Sequence, residues 1–232
     1  MADQPTEYRQ HRFSAPPGAC ELLVVRHGES APAVPGRSFA LVDGHGDPEL
    51  APDGRWQAER VGERLAGETI DAIYVTTLRR THDTAAPLAA RLGITPVVVP
   101  GLREVFLGEW EGGLMRQRVA EGDPIGARLF AAQDWGVIPG AESNADLAAR
   151  VVPALQAIAD AHPDQRVVVV VHGGVIGTIL AHASGGRPFA FAGADNGSIS
   201  HVVITGRQWI IRRFNDTGHL AGELSAAPEP LT

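Results

Sequence analysis

A run of five consecutive valines at residues 167–171 constrains the fold more than any other stretch of this chain. β-Branched residues favour strands, and an apolar run without alternation is typical of a strand buried on both faces. A second such run, Leu22 to Val25, lies near the start of the chain. Strands buried on both faces occur in sheets that carry helices on either side, so we expect a mostly parallel sheet with Leu22 to Val25 as a central strand.

Helical patterns alternate with the predicted strands. Asp53 is the predicted N-cap of a helix that runs to residue 66, with Trp56, Val61 and Leu65 on its apolar stripe. Further helices are predicted at 78–92, where Gly93 ends the helix, within 114–135, from 142–144 to 161, and after the glycines at 173–174 up to 182. Further strands are predicted at 71–76, 96–99, 198–205 and 208–214, and the last two are expected to form a hairpin at the edge of the sheet. The predicted fold class is α/β, a three-layer sandwich with a mostly parallel central sheet flanked by helices.

One domain is expected to carry the function. Residues 1–18 are polar, and residues 222–232 are rich in Pro and Ala, so both segments are predicted to be flexible tails. Residues 19–221 hold every predicted strand and helix, without a repeat or a linker long enough to divide them. Within this single domain, residues 31–52 form a long loop rich in Gly, Pro and Asp, and loops of that length are usually functional.

Composition limits the possible partners. The 232 residues include one cysteine, Cys20, which excludes an internal disulfide framework and suits a reducing cytoplasm. Basic residues number 20 and acidic residues 27, and the net charge of -7 argues against general nucleic-acid binding. No apolar run approaches the roughly 20 residues of a membrane span, and the N-terminal residues lack a signal-peptide core. We therefore expect a cytoplasmic protein without nucleic-acid or membrane partners, in which a local basic cluster holds any anionic ligand.

Charged and polar residues follow several of the predicted strands. Arg26 and His27 end the first strand, Arg80 opens the helix after the second, Glu104 lies after the third, and His172 ends the valine strand. In a parallel sheet these positions share one edge, where α/β proteins bind ligands. Each charged residue alone is compatible with an ordinary ion pair, but two guanidinium groups together match phosphate oxygens. A histidine between two arginines is expected to be neutral near pH 7, which leaves a ring nitrogen to attack phosphorus.

These residues belong to longer motifs that resemble those of the histidine phosphatase superfamily, phosphoglycerate mutase-like branch. The motifs occur in the order seen in that family and cover the chain from about residue 21 to 220. They are R-H-G-E-S at 26–30, D-P-E-L-A-P-D-G-R-W-Q-A at 47–58, T-x-L-x-R-x-x-x-T-A at 76–85, L-x-E-x-x-x-G-x-W-E-G at 102–112, V-H-G-G at 171–174 and N-D-T-G-H-L at 215–220. The resemblance implies a phosphoglycerate mutase-like fold.

The resemblance also implies a role for individual residues. His27 corresponds to the nucleophile that becomes phosphohistidine, and Glu104 to the proton donor. The other residues implied to be catalytic are Arg26, Arg80 and His172, and the implied phosphate-binding set is Arg26, His27, Arg80, His172, Ser30 and the backbone of Gly173. Trp110, Trp135 and Trp209 are expected to be packing residues, and Trp110, beside the loop of Glu104, is also a candidate contact for the substrate.

Two positions depart from the family pattern. Ala33 stands where the family often has an asparagine, and alanine cannot bind phosphate. Ser30 and Arg37 are candidates to replace that amide. Thr76 takes the place of the usual serine, which keeps a hydroxyl at that position.

The activity implied is hydrolysis of a small phosphorylated metabolite to inorganic phosphate, without metal or other cofactor. A cofactor-dependent phosphoglycerate mutase is the nearest alternative, but mutases carry extra basic residues for the substrate carboxylate. After Glu111 this chain offers only Arg116, Arg118 and Arg128 before Arg150. A non-catalytic phospholigand-binding module is the alternative from another class. The sequence does not define the oligomeric state, and a homodimer is one option.

Overall fold

The computed structural model describes residues 8–220, and all structural statements below refer to this part of the chain. The predicted C-terminal tail, 222–232, and residues 1–7 of the predicted N-terminal tail lie outside it. Residues 8–18 form no helix or strand. No helix between residues 8 and 220 is both long and apolar enough to cross a membrane.

A six-stranded sheet forms the centre of the described chain. Its strands are β1 (Cys20–Arg26), β4 (Ala72–Val75), β5 (Val97–Val98), β6 (Arg166–Val171), β7 (Ile199–Thr205) and β8 (Gln208–Asp216). Their order across the sheet is β5-β4-β6-β1-β7-β8. Strands β5, β4, β6 and β1 run parallel, whereas β7 is antiparallel to β1 and β8 is antiparallel to β7. The predicted central strand and the predicted edge hairpin are both confirmed. The remaining strands, β2 (Leu41–Val42) and β3 (His45–Gly46), form a small separate hairpin within the long loop.

Helices cover both faces of this sheet, which confirms the predicted α/β sandwich. They are α1 (Pro52–Leu65), α2 (Arg79–Leu92), α3 (Leu114–Ala120), α4 (Pro124–Ala132), α5 (Asn144–Ala161) and α6 (Gly173–Ser184). Helices α1 and α2 pack on one face of β1 and β6, and α5 and α6 on the other. Alternate valines of β6 enter the two cores, Val168 and Val170 on the α1 and α2 side, and the other three on the opposite side. The valine run is unbroken because both faces of the strand are buried.

Helix α1 differs from its prediction in two respects. It begins at Pro52, and its N-cap is Ala51, which makes no side-chain capping bond, so the assignment of Asp53 as the N-cap is wrong. Proline is favoured at the first helical position because it has no N–H to leave unpaired, and Asp53 lies in the first turn, where its charge suits the helix dipole. Trp56 is 47% exposed and does not belong to the buried stripe. It lies two residues before buried Ala58, and therefore about 200° round the helix from it.

The other helix ends follow their sequence signals. Gly93 ends α2 in the left-handed conformation with φ of 66°, which glycine adopts without steric cost. Ser143 caps α5, and its side chain and that of Asp146 form a reciprocal capping box. Both predicted boundaries are confirmed.

Candidate active site

The ends of the two central strands bring two histidines together. Strands β1 and β6 are parallel neighbours, with Arg26 paired to Val171. The backbone N–H of His27 donates to the carbonyl of Val171 at 2.9 Å, so the chain stays in register one residue beyond the strand. The imidazole rings of His27 and His172 consequently lie 5.1 Å apart, centroid to centroid, and both are buried.

His27 presents an unprotonated nitrogen to an arginine. Its Nδ1 lies 2.7 Å from the carbonyl oxygen of Gly28, and because a carbonyl only accepts, Nδ1 carries the proton. Nε2 then holds the lone pair, and the Nε of Arg80 donates to it at 3.2 Å. Burial, and then the charges of Arg80 and Arg26, hold the pKa of His27 well below its usual 6.5. The ring is therefore neutral and nucleophilic at neutral pH.

Two glycines allow the His27 loop to approach helix α1 closely. A Cβ on Gly28 would lie 2.3 Å from the carbonyl oxygen of Gly54, and a Cβ on Gly54 would lie 1.9 Å from that of Glu29. Neither position has room for a side chain. The glycines of the first two motifs, at 26–30 and 47–58, thus hold the turn after His27 against the start of α1.

Thr84 connects the loop of His27 to the helix of Arg80. Its hydroxyl donates to the carbonyl of Arg80 at 2.7 Å, one turn back along α2, and accepts the N–H of Gly28 at 2.9 Å. This contact explains the spacing R-x-x-x-T within the motif at 76–85. Arg80 also donates to the carbonyl of Gly46 at 2.9 Å, and burial lowers its pKa to about 10, so it remains charged at neutral pH.

His172 is oriented by Thr76. Their Nε2 and Oγ1 atoms lie 3.0 Å apart, and Oγ1 also accepts the N–H of Leu78 at 3.2 Å. Among the described residues the buried Nδ1 of His172 has no hydrogen-bond partner. Burial and the charge of Arg80 hold the pKa of His172 well below 6.5, so this ring is neutral too. The hydroxyl that Thr76 keeps at this position of the motif therefore orients the His172 ring.

The loop before β7 supports Arg26 and His27 from behind. Arg26 donates through Nη1 to the carbonyl of Ala194, and the amide of Asn196 donates to the backbone carbonyl of His27 at 2.9 Å. This loop is in turn held by Asn215, whose amide donates to Asp195 at 2.7 Å and accepts the Asp195 N–H at the same distance. The C-terminal motif at 215–220 therefore acts through this loop. Sequence reasoning gave it no structural role.

Glu104 lies beside the N-terminus of helix α6. Its Oε2 accepts the N–H of Gly174 at 3.3 Å, and its Oε1 accepts the N–H of Val105 at 2.9 Å. A Cβ on Gly174 would lie 2.7 Å from Oε1, so a glycine is needed for the carboxylate to take this position. Gly173, the predicted backbone donor, is the first residue of α6, and the side chain of the N-cap residue His172 makes no capping bond there.

A third arginine joins the pocket, and sequence reasoning considered it only as a possible mutase cation. Arg116 on α3 donates to the hydroxyl of Ser30 at 2.6 Å and to the carbonyl of Ala31 at 2.8 Å. Burial lowers its pKa, with Glu29 opposing that shift. The loop after His27 thus positions Arg116 through contacts 85 and 86 residues apart in sequence, a separation that no local motif signals.

The predicted replacements for the family asparagine lie in different places. Ser30 is buried behind Arg116 and does not line the pocket, so its predicted contact with phosphate stays a prediction. Arg37 is exposed and lies outside the pocket lining. Ala33 lies near Gly113, at the start of the helix that carries Arg116.

The site has two adjoining cavities. The smaller, about 110 Å³, is lined by Arg26, His27, Arg80, Glu104 and Arg116 among others. The larger, about 330 Å³, extends along α6 toward Trp135, Phe130 and Phe189. Five residues line both cavities: Arg26, Glu104, Val105, Leu107 and Met115. Trp135 packs against the core, as predicted, and its ring also lines the larger cavity. Trp110, the candidate substrate contact, lines the smaller cavity.

The smaller cavity combines the neutral His27 with three guanidinium groups and two carboxylates, Glu104 and Glu111. Glu111 already accepts the backbone N–H groups of Leu107 and Gly46. Three fixed cations suit a doubly charged phosphoryl group, and the histidine suits attack on its phosphorus. Within residues 8–220, no three His, Cys, Asp or Glu side chains are grouped so that they could hold a metal ion. The fold and the pocket together define a phosphoryl-transfer enzyme.

The chain belongs to the histidine phosphatase superfamily, branch 1, whose family model matches residues 22–217. It is 37% identical to phosphoglycerate mutase-like protein 4 of Arabidopsis thaliana over 86% of each chain. It is 32% identical to a metal-independent phosphoserine phosphatase of the same plant, over 87% of this chain and 83% of the relative. Both names occur within one family, as the resemblance implied.

Solved structures support the same membership. The native structure of mycobacterial glucosyl-3-phosphoglycerate phosphatase is 31% identical and matches with a TM-score of 0.71, covering 86% of this chain and 100% of the other. The mycobacterial enzyme has also been solved with VO3 and with inorganic phosphate. Family model, fold and relatives thus agree on this superfamily.

Proposed function

We propose that the protein hydrolyses a small phosphomonoester through a phosphohistidine formed on His27. One observation carries the proposal: the unprotonated Nε2 of a neutral His27 lies in a pocket with three arginines and Glu104. Nε2 attacks phosphorus as the ester P–O bond breaks, and Glu104 in its acid form protonates the departing alkoxide. Water then attacks the phosphohistidine and gives a proton to the Glu104 carboxylate, so histidine is restored and inorganic phosphate leaves.

The remaining residues hold the phosphoryl group. Arg26, Arg80 and Arg116 offer guanidinium donors, and the N-terminus of α6 offers backbone donors at Gly173. The buried Nδ1 of His172 has no hydrogen-bond partner among the described residues, and we assign it to donate to a phosphoryl oxygen, with the Thr76 hydroxyl donating to Nε2 of the same neutral ring. The mycobacterial relative has been solved with VO3 and with inorganic phosphate, which supports phosphate as a ligand of this protein. We also propose a metal-independent reaction, because arginines here take the charge-neutralising role that Mg²⁺ has in many phosphoryl-transfer enzymes.

The larger cavity favours a phosphatase over a phosphoglycerate mutase. A mutase must bind a substrate carboxylate and return the phosphoryl group to a second hydroxyl. Of the three arginines that sequence reasoning weighed for that role, Arg116 lines the smaller cavity beside the other phosphate-binding arginines. Arg118 pairs with Asp123 at 3.6 Å and Arg128 is exposed, and neither of these two lines a cavity of the site. A cytoplasmic location and a homodimer stay predictions, the latter open to light scattering on the purified protein.

Trapping the intermediate tests the proposal. Purified protein is mixed with p-nitrophenyl phosphate labelled with ³²P and quenched, and phosphate release is followed in parallel. The wild type is expected to release phosphate and to carry an acid-labile, alkali-stable label. His27→Ala is expected to lose both, with turnover falling by roughly 10⁴-fold or more, while circular dichroism shows an unchanged fold.

Two outcomes would contradict the proposal. Near wild-type turnover by His27→Ala would show that another group is the nucleophile. Tight binding of phosphate without release from any ester would favour the non-catalytic binding module instead.

A further inference from the structure

We infer that the larger cavity receives the leaving group of the substrate, and that this alcohol carries an apolar, ring-sized substituent without a second negative charge. This inference rests on the proposed function, since it assigns a substrate class to the same site. The two cavities meet at Glu104, and the carboxyl that protonates the leaving oxygen lines both of them. With the phosphoryl group beside His27, an alcohol that departs past Glu104 enters the larger cavity.

The far part of this cavity is aromatic. Phe130 comes from α4, Trp135 from the 3-10 turn after it, and Phe189 from the loop that follows α6. The Phe189 ring lies 5.1 Å from that of Trp135 and 6.5 Å from that of Phe130, so the three form one cluster. Phe130 remains 45% exposed, an amount of open apolar surface that a bound ring would cover.

The part nearest Glu104 is made of small residues. Gly173, Gly174, Gly177 and Ala181 of helix α6 line it, with Ala148 of α5. Their short side chains leave room between Glu104 and the aromatic cluster. A volume of about 330 Å³ lies within the range of pockets that enclose organic ligands.

Two polar side chains of this cavity, Thr178 and Asn144, already have partners within the protein. Thr178 donates its hydroxyl to the carbonyl of Gly174 at 2.9 Å, and the Asn144 amide donates to the carbonyl of Gln133. The titratable side chains in the lining are Arg26, Glu104 and His182. Arg26 belongs to the phosphate site, and the His182 ring packs edge-on against Trp209 at 4.8 Å.

Charge therefore separates the two cavities. Arg80 and Arg116 line only the smaller one. A substrate carboxylate placed among Phe130, Trp135 and Phe189 would lose its hydration without gaining a cation, which is unfavourable. An apolar ring in the same place would gain the free energy of leaving water.

Three esters of primary alcohols test the inference on the purified full chain: propyl phosphate, 3-phenylpropyl phosphate and 3-phosphoglycerate. All three release a primary alkoxide, so they place a similar demand on Glu104 and differ in what enters the cavity. We expect kcat/KM for 3-phenylpropyl phosphate to exceed that for propyl phosphate by about 10-fold to 100-fold. We expect 3-phosphoglycerate to be the poorest of the three.

Two variants locate the effect. Phe130→Ala is expected to reduce the ratio of kcat/KM for the phenylpropyl and propyl esters by about 5-fold or more, because part of the apolar contact is lost. Phe13→Ala is the matched control, since Phe13 is exposed to a similar degree, 42%, but packs against Arg212 away from the site. The control should leave the ratio unchanged.

The results separate the two claims. If no ester is hydrolysed, the proposed function fails. If propyl phosphate is hydrolysed but the phenylpropyl ester has no advantage, or 3-phosphoglycerate is preferred, the inference on substrate class is overturned while the phosphatase stands. An advantage that Phe13→Ala removes as much as Phe130→Ala would also overturn it.

Discussion

The two cavities that meet at Glu104 are built from different parts of the chain and from different chemistry. On the phosphate side, the smaller cavity takes Arg26 and His27 from the end of β1 and Arg80 from the start of α2. These three side chains are buried and hydrogen-bonded to the backbone, and only His27 among them is neutral. The larger cavity takes its aromatic rings from the α4 region and from the loop after α6, and its lining is mostly apolar. The first arrangement suits one chemical group, the phosphoryl group. The second is an apolar space, and most of the residues that set its shape do not line the smaller cavity.

Among the changes that probe the two cavities, Glu104→Gln is expected to have the largest effect on the rate of hydrolysis. Hydrolysis of alkyl phosphates should fall by roughly 10²-fold to 10⁴-fold, because a basic alkoxide needs a proton as it leaves. The phosphorylation step with p-nitrophenyl phosphate should lose far less, because nitrophenolate is a stable anion. Burst kinetics measure this step separately from the steady state, which could also slow if Glu104 activates the water.

The control lies in comparing the substrates. Equal loss of the phosphorylation rate for alkyl and nitrophenyl esters would remove Glu104 from the role of proton donor. The carboxylates Glu29, Glu109 and Glu111 would then be the next candidates.

Arg116→Ala tests whether the third guanidinium belongs to the phosphate side. We expect kcat/KM to fall by about 10-fold to 100-fold for every ester, whatever its leaving group, because a hydrogen bond from a charged group to the phosphoryl oxygens is lost. Arg118→Ala is the matched control, from the same helix but paired with Asp123 and outside both cavities. A loss confined to esters with a second anion would instead assign Arg116 to the leaving group.

The buried histidines of the phosphate side should make stability depend on pH. The pKa values of His27 and His172 are lowered in the folded protein, whereas the unfolded chain binds their protons near pH 6.5. Unfolding therefore takes up protons below about pH 6.5, and the free energy of unfolding should fall there by up to about 1.4 kcal/mol per pH unit for each histidine. Urea titrations without phosphate at several pH values measure this slope.

A variant assigns the slope to one residue. His27→Gln should reduce the slope by the equivalent of about one proton. His11→Gln should not, because His11 is exposed and lines neither cavity. A wild type whose stability does not change between pH 7 and pH 5 would contradict the neutral, buried state of both rings.

Chelation is expected to produce the smallest effect. Because arginines supply the positive charge on the phosphate side, excess EDTA should leave kcat and KM for p-nitrophenyl phosphate within experimental error. The control adds back Mg²⁺ or Zn²⁺ after dialysis. Loss of activity that a divalent ion restores would show that the arginines are not sufficient.

Much of the fold and of the phosphate side could be predicted because both depend on short stretches of sequence. An unbroken valine run marks a strand covered on both faces, and the residues that follow such a strand reach the ligand-binding edge of the sheet. Arg26, His27 and His172 could thus be placed together before any coordinates were known. Gly93 and Ser143 marked helix ends for the same local reason.

Other features were beyond the reach of local patterns. The assignment of Asp53 as an N-cap was wrong because the proline before it already starts the helix. Trp56 looked like a core residue, but its angular position on α1 leaves it at the surface. Arg116 reaches the phosphate side only because the loop after His27 folds against α3.

The sequence by itself determined which residues end the strands, and which of them correspond, in the resemblance, to the nucleophile and to the arginines expected to hold an anion. Only the tertiary structure decided that His27 is the Nδ1-protonated tautomer, that Gly174 admits the Glu104 carboxylate, and that aromatic rings from distant segments form the larger cavity. The physical reason is the range of the interactions. A strand and its end are specified by neighbouring residues, whereas a cavity is the space left between elements, and its shape depends on how all of them pack.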